Sequence, residues 1–413
     1  MFAALHYRNF RLIWWGLLFS FTGSFMQTAA VLWHVSLLVP DDRRALALGT
    51  VGLVRIGPIL LFSMISGVAA DAFNRRTLML FTQSAMAILA AVLAVLTLRG
   101  LTAVWPIYLV SALSSAAGAF DLPARQSLVP TLVPRDVLPN AISLNTIAIQ
   151  TASVAGPALG GLVIATKGVG WAYAANAISF GFVLGALLLM KGTGGAHLES
   201  AEGAGKDRSN FTVAAALEGL RFVFRAPLIR STMLLDFFAT FFSSATALLP
   251  IFAQDVLHVG ARGYGWLYAA PAVGAVVASG VMVRAVDWIE RRGAVLVGAV
   301  LVYGAATVAF GLSTMFWLTF GCLAATGAAD TVSMVFRNLI RQMETPDALR
   351  GRMTGVNMIF FMGGPQLGEL EAGLVANWLG PVISVVTGGI GCLVATAWVA
   401  AVTPALRRYG RTM

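Results

Sequence analysis

Charge is what this chain has least of. Asp, Glu, Lys and Arg together make up 11% of its 413 residues, against about 25% in an ordinary soluble domain. Cysteine is nearly absent as well. Cys322 and Cys392 each stand alone inside an apolar run, which excludes a disulfide framework and a thiolate metal site. No Gly-x-x-x-x-Gly-Lys-Ser/Thr phosphate loop occurs, so nucleotide hydrolysis of that type is not expected. No His, Cys and Asp cluster has metal-ligand spacing, so neither a metal nor a cofactor is expected. The acids are too scattered to suggest a hydrolase, and the sequence gives no ground to expect an enzyme.

What is present is apolar. Hydrophobic residues are 58% of the chain, more than a soluble protein of this length could bury. The expected class is therefore all-α integral membrane. Runs of about twenty apolar residues, the length that crosses a bilayer as a helix, recur about twelve times. The first run follows Arg8 and Arg11 and reads as an uncleaved first span. The net charge of +10 sits between the runs and not in a stripe. That distribution points to anionic membrane lipid as the partner, and no nucleic acid is expected. With both termini cytoplasmic, about 21 of the 28 basic residues fall inside and about five outside, the bias expected of a multi-pass protein.

Three domains are expected: residues 1–190 with six spans, a cytoplasmic linker at 191–230, and residues 231–413 with six more. The linker opens with the polar stretch KGTGGAHLESAEGAGKDRSN and continues into FTVAAALEGLRFVFRAPLIR, which reads as an amphipathic surface helix. Two echoes suggest that the halves are duplicates. GVAADAFNRR places Asp71 before Arg75 and Arg76, and VRAVDWIERR places Asp287 before Arg291 and Arg292, 216 residues later. GPALGGL starts at Gly156 and GPQLGEL at Gly364, 208 residues apart. Two unrelated motifs with similar offsets imply repeated six-helix units.

At these residues the chain resembles the major facilitator superfamily, over essentially its whole length. FDLPARQSLVPTLVPRDVLPNAISLN followed by VAGPALGGLVIA is similar to the branch of bacterial enterobactin-type exporters and transmembrane secretion effectors, as is RNFRLIWWGLLFSFTGSFMQ near the start. The resemblance implies twelve transmembrane helices in two pseudo-symmetric six-helix bundles that rock about a central site. It also implies that the loop carrying Gly67, Asp71, Arg75 and Arg76, with Asp287, Arg291 and Arg292 in the second half, latches the cytoplasmic side. Serving only as positive-inside anchors is the plainer alternative for the arginines. The glycines and proline of GPALGGL, Gly156, Pro157, Gly160 and Gly161, match the end of an antiporter signature, which favours export, and permit close helix packing. The earlier glycines of that signature are replaced, by Ser143 and Ala152.

Ionisable residues inside spans are costly and so are functional candidates. By the resemblance, the first helix of each three-helix repeat lines the cavity. That makes Gln27, His34, Asp236 and Asp330 candidates for substrate or coupling contacts, with Ser111, Ser114 and Ser115. His34 reads better as a hydrogen-bonded packing histidine, Asp236 equally as a capping or interface acid, and Asp330 with Arg337, seven residues on, as a structural pair. A span beginning near Leu46 puts Arg55 about 13 Å deep, and one beginning near Met353 puts Glu369 and Glu371 about 24–27 Å from the opposite face. All three then fall in the outer half; the resemblance implies that spans two and eleven meet across the halves, so that Arg55 paired with Glu369 or Glu371 would close an outer gate, unless the pair is static packing. The usual mid-membrane arginine of span four and the acid after Gly23 are missing, so a proton, the expected coupling ion, must ride on Asp236, Asp330 or Glu371.

The resulting expectation is a secondary active exporter of a small amphipathic molecule, a drug, siderophore or metabolite. It would work as a monomer by alternating access in the bacterial inner membrane. A lipid or lysophospholipid flippase is the alternative within transport. A non-transporting scaffold or receptor explains the paired latches and membrane acids less well.

Overall fold

The structure is a computed structural model describing residues 3–190, 220–346 and 349–410. At 63–65, 67–72, 245, 350–352, 354, 355, 358, 359, 361 and 362 the backbone alone is described. Among the described residues the chain is helical, without strands. The first half comprises α1 (Arg8–Leu38), α2 (Asp41–Ala72), α3 (Arg75–Leu98), α4 (Trp105–Leu128), α5 (Leu138–Lys167) and α6 (Val169–Leu189). The second comprises α7 (Pro227–Phe242), α8 (Gly260–Ala285), α9 (Arg292–Leu312), α10 (Phe316–Glu344), α11 (Arg350–Leu379) and α12 (Pro381–Val402), with a short α13 (Pro404–Arg408) at the end. Ten spans among the described residues are long and apolar enough to cross a membrane. The other two long helices, α1 and α11, have 31 and 30 residues but interleave polar side chains, such as Ser20, Ser24, Gln27, Gln366 and Glu369.

Local chemistry sets the boundaries. Asn74 caps α3 by accepting from the Arg76 and Thr77 amides. Gly168 and Gly380 turn the chain at φ +92° and +91° between α5 and α6 and between α11 and α12, a conformation that favours glycine. Pro227 opens α7, so residues 227–230 of the expected linker are already helix. Residues 191–219 of that linker lie outside the described residues. The helix at 220–225 buries Val223 against Ile229, Met233, Met353 and Val356 and exposes Arg221 and Arg225. α7 is followed by a 3-10 turn, Pro250 and a π-helical stretch at Phe252–Val256, because proline removes a ladder hydrogen bond and crowds the preceding turn.

The two halves pack alike. In the first, α1 packs on α5 and α6, α3 on α4 and α6, and α2 on α4; in the second, α7 packs on α11 and α12, α9 on α10 and α12, and α8 on α10. Each pairing maps on its counterpart when six is added to the helix number, which gives two pseudo-symmetric six-helix bundles. The bundles meet mainly through α2 with α11 and α5 with α8, two contacts that the same rule exchanges. The register is 216 residues for the first four helices of each half. It is 212 for the fifth, as the turns at Gly168 and Gly380 require. The GPALGGL and GPQLGEL echo, at 208, is therefore displaced by one helical turn. That shift keeps glycines on the same face: Gly156 lies against Thr22, Phe25 and Met26 of α1, and Gly364 and Gly368 lie against Thr240 and Phe241 of α7.

Candidate functional site

Both termini lie at one end of the bundle, here the terminal end. The opposite end, where α2 and α8 begin, is the far end. The halves close on each other near the far end. Gly49 and Gly52 of α2 meet Glu369 and Gly373 of α11, and a methyl group on Gly49 would stand 2.8 Å from the Glu369 carbonyl oxygen. In the second seam Gly161 of α5 meets Gly265 of α8, where a methyl on Gly161 would stand 2.6 Å from the Ala261 carbonyl oxygen. These crossings lie roughly 8–12 Å along their helices from the far end at 1.5 Å per residue. Backbone contact of this kind holds helices together where lipid competes for every apolar surface.

Polar and aromatic groups add to the closure. Arg44 pairs with Asp255 at 2.8 Å and with Asp41 in its own helix. Gln254 Nε2 donates to Ser36 Oγ at 2.8 Å, and the Tyr264 hydroxyl to the Ala29 carbonyl at 2.9 Å. The Trp33 and Tyr264 rings lie 5.1 Å apart. Among the described residues α4 makes no more than marginal contact with α10 or α11, so the firm contacts between the halves are those toward the far end.

Between these ends, inside the first half, lies a cavity of about 180 Å³. Its wall holds Arg55, Ser24, Gln27, Thr28, Ser111, Ser114, Ser115 and Asn176, with Val31, Met86 and Phe180 as the apolar part. Gln27 and the three serines of α4 thus come together as the sequence suggested. His34 does not join them. It lies seven residues nearer the far end, buried, 3.2 Å from the Tyr173 hydroxyl. Asp236 is not in the wall either; it is buried beside Arg337 at 2.8 Å. The second Arg337 nitrogen reaches Asp330 at 3.1 Å, and Asp330 keeps 42% of its side-chain surface open. Arg341 packs below, its Nε donating to the Arg337 carbonyl at 3.1 Å.

The expected pair of Arg55 with Glu369 or Glu371 is not formed: among the described residues no ion pair within 4.0 Å includes any of the three. Two features explain this. α2 begins at Asp41, earlier than the apolar run suggested, so Arg55 lies roughly 21 Å from the far end and Glu369 roughly 15 Å. The stripe of α2 facing α11 runs through Gly49, Gly52 and Ile56, and Arg55 is one residue, about 100°, off it. The ion pair that does bridge the halves at the far end, Arg44 with Asp255, had no signal in the sequence beyond two charges lying outside the apolar runs.

The arginine pairs at the terminal end bond within their own halves. Arg75 donates to the Ser127 carbonyl and Arg76 to the Leu188 carbonyl, each at 3.2 Å. Arg292 is buried, with Nη1 3.9 Å from the Met343 sulfur, and Arg291 is exposed. The side chains of Gly67 and Asp71 lie outside the described residues.

Sequence reasoning missed a third cluster. Asp121 of α4, 1% exposed, accepts from Thr82 Oγ1 at 3.1 Å and Gln83 Nε2 at 2.8 Å, and pairs with Arg125. Ser20 of α1 donates to Gln83 at 3.4 Å. An acid and an arginine four residues apart inside an apolar span were the available signal.

Residues 1–408 match the family described as transmembrane secretion effector. The chain is 28% identical over 359 residues to the enterobactin exporter EntS of Escherichia coli O1:K1 / APEC, covering 86% of this chain and 83% of that protein. It is equally similar to EntS of Shigella boydii serotype 18. Among solved structures, a bacterial homologue of the human lysosomal transporter Spinster, inward-facing and unoccupied, superposes with a TM-score of 0.72 at 14% identity, covering 98% of this chain and 99% of that one. A bacterial homologue of the iron transporter ferroportin, also inward-facing, gives 0.69 at 18% identity over 97% and 99%.

Proposed function

The chain belongs to the transmembrane secretion effector family, multi-pass membrane transporters of the major facilitator type, and from that premise we propose that it exports a small amphipathic molecule, a siderophore or related metabolite, across the bacterial inner membrane in exchange for protons. The observation that carries this reading is the closure of the halves at the glycine crossings, with Arg55 on the wall of an open cavity in the first half and Asp330 partly exposed. It is the arrangement of a transporter ready to load from the terminal end, which the distribution of basic residues assigns to the cytoplasm.

Residues 1–190 and 231–413 are the two moving bodies, joined by the 191–230 linker, in a monomer. Asp330 is the proton carrier: it is open on one flank and bonded to Arg337 on the other. A proton on Asp330 releases one nitrogen of Arg337, while Asp236 holds the other. The Asp71, Arg75 and Arg76 loop and its Asp287, Arg291 and Arg292 counterpart latch the terminal end in the opposite state. There the arginines exchange their own-half carbonyls for partners across the gap.

The test uses purified protein in proteoliposomes and a panel of amphipathic compounds, with and without an imposed pH gradient. Gradient-driven transport of at least one compound is expected, with Asp330→Asn keeping downhill flux and losing the response to the gradient. Transport indifferent to the gradient in the unaltered protein refutes proton coupling. No transport of any compound, siderophores included, refutes the exporter reading.

A further inference from the structure

We propose that the Arg55 cavity is a subsite for a singly charged oxyanion, the carboxylate end of an amphipathic substrate. The proposal deepens the exporter reading above and rests on it. Its first support is charge. Arg55 is the one ionic group in a wall of eleven residues, and no acid or second cation lines it. Among the described residues no carboxylate lies within 4.0 Å of its guanidinium. A cation at this depth is costly without a close counter-charge; the acid that feels Arg55, Glu369, stands beyond 4.0 Å, and a cationic ligand would find no acid in this wall to pair with.

Hydrogen-bond direction supplies the second support. Asn176 Nδ2 donates to Gln27 Oε1 at 2.7 Å, so the acceptor of Gln27 is engaged and its amide NH2 remains to donate. The Ser179 hydroxyl donates to the Asn176 backbone carbonyl at 2.7 Å and lies 3.1 Å from Asn176 Oδ1. The Thr28 hydroxyl gives its proton to the Ser24 carbonyl at 3.0 Å. The donors left to the cavity are the Arg55 guanidinium, the Gln27 amide and the hydroxyls of Ser111, Ser114 and Ser115. A donor-rich, acid-free pocket with a planar guanidinium fork matches a planar oxyanion. One cation balances one negative charge, which favours a carboxylate over a doubly charged phosphate.

Size and symmetry give the third support. A cavity of about 180 Å³ is below the range of pockets that enclose drug-sized ligands, roughly 300–1,000 Å³. It holds a headgroup, and Val31, Met86 and Phe180 offer the start of an apolar surface to the remainder. The second half has no equivalent: in the 216-residue register Pro271 stands for Arg55 and Asp330 for Ser114. An oxyanion is therefore received on one side of the centre only.

The experiment measures binding to the purified full chain by fluorescence titration with dansylamino-undecanoic acid, its methyl ester and the matching amine. The acid is expected to bind about tenfold more tightly than the ester. Arg55→Gln should remove that difference by weakening the acid alone, and Arg55→Lys should restore part of it. Ser114→Asp, which installs the second half's acid, should act like Arg55→Gln and serves if Arg55→Gln does not fold. Equal binding of acid and ester, tighter binding of the amine, no saturable binding of the acid, or an acid preference that survives both variants overturns the subsite. Proteoliposome flux separates this from the exporter reading. An acid preference without flux leaves the subsite and removes the exporter; flux without an acid preference does the reverse.

Discussion

The two halves place a buried polar network at the same point and build it with opposite charge. In the 216-residue register Ser20 corresponds to Asp236, Asp121 to Arg337 and Arg125 to Arg341. The first half puts an acid on α4 and satisfies it from Thr82, Gln83 and Arg125. The second puts an arginine on α10 and balances its charge with Asp236 on α7 and Asp330 on its own helix. The first network is neutral hydrogen bonding around one ion pair, with Arg125 also stacked 4.4 Å over the Phe21 ring. The second depends on ionic contacts, and one of its acids is open. Duplication has kept the position and let the chemistry diverge: the first half meets its acid mostly with neutral donors, and the second balances its arginine between two acids.

The strongest way to break this comparison is Arg337→Leu. It leaves Asp236 buried without its cation, an uncompensated charge that costs about 3–5 kcal/mol, read as a lower melting temperature of the purified protein. Combining it with Asp236→Leu should recover most of the loss. A double variant as unstable as the single one would mean that the pair is not what holds α7 to α10. Asp121→Ala should cost less, about 2 kcal/mol, because neutral donors lose a bond and Arg125 keeps its ring and part of its hydration. Equal losses in the two halves would erase the difference argued here.

The glycine crossings sharpen the comparison from the other side, since there the halves are images. Gly49→Ala and Gly265→Ala each force a methyl into the opposing backbone, at about 1–2 kcal/mol. Both should shift the protein away from far-end closure, seen as greater labelling of single cysteines near Arg43 and less near Arg75. Unequal shifts would show that the two seams do not share the load. The smallest effect belongs to Arg44→Ala. Its partner Asp255 is half exposed, so the loss should stay under about 1 kcal/mol and fade in high salt.

Much of the fold was legible from local features. Hydrophobic runs gave the helices because length and apolarity alone decide whether a segment can span, and the Asp71 and Asp287 echo carried the true register of the first four helices. The GP echo was one turn out because glycine spacing repeats along a helix face, and an echo cannot tell one turn from the next. Gln27, Ser111, Ser114 and Ser115 were legible as neighbours because the resemblance said which helices face the centre. Arg55 was placed too near the far end because α2 extends past the apolar run through Asp41, Asp42, Arg43 and Arg44, charges that ended the run but not the helix.

The sequence by itself determined the class, the number of apolar runs, the duplication and the family, since each depends on composition or on spacing along one chain. Only the tertiary structure decided which charges meet. Arg55 and Glu369 occupy depths and helix faces that differ by a few ångströms and about 100°, and ion pairing depends on such differences. Arg337 finds Asp236 a hundred residues away because α7 and α10 pack side by side, an adjacency that no spacing in the sequence encodes.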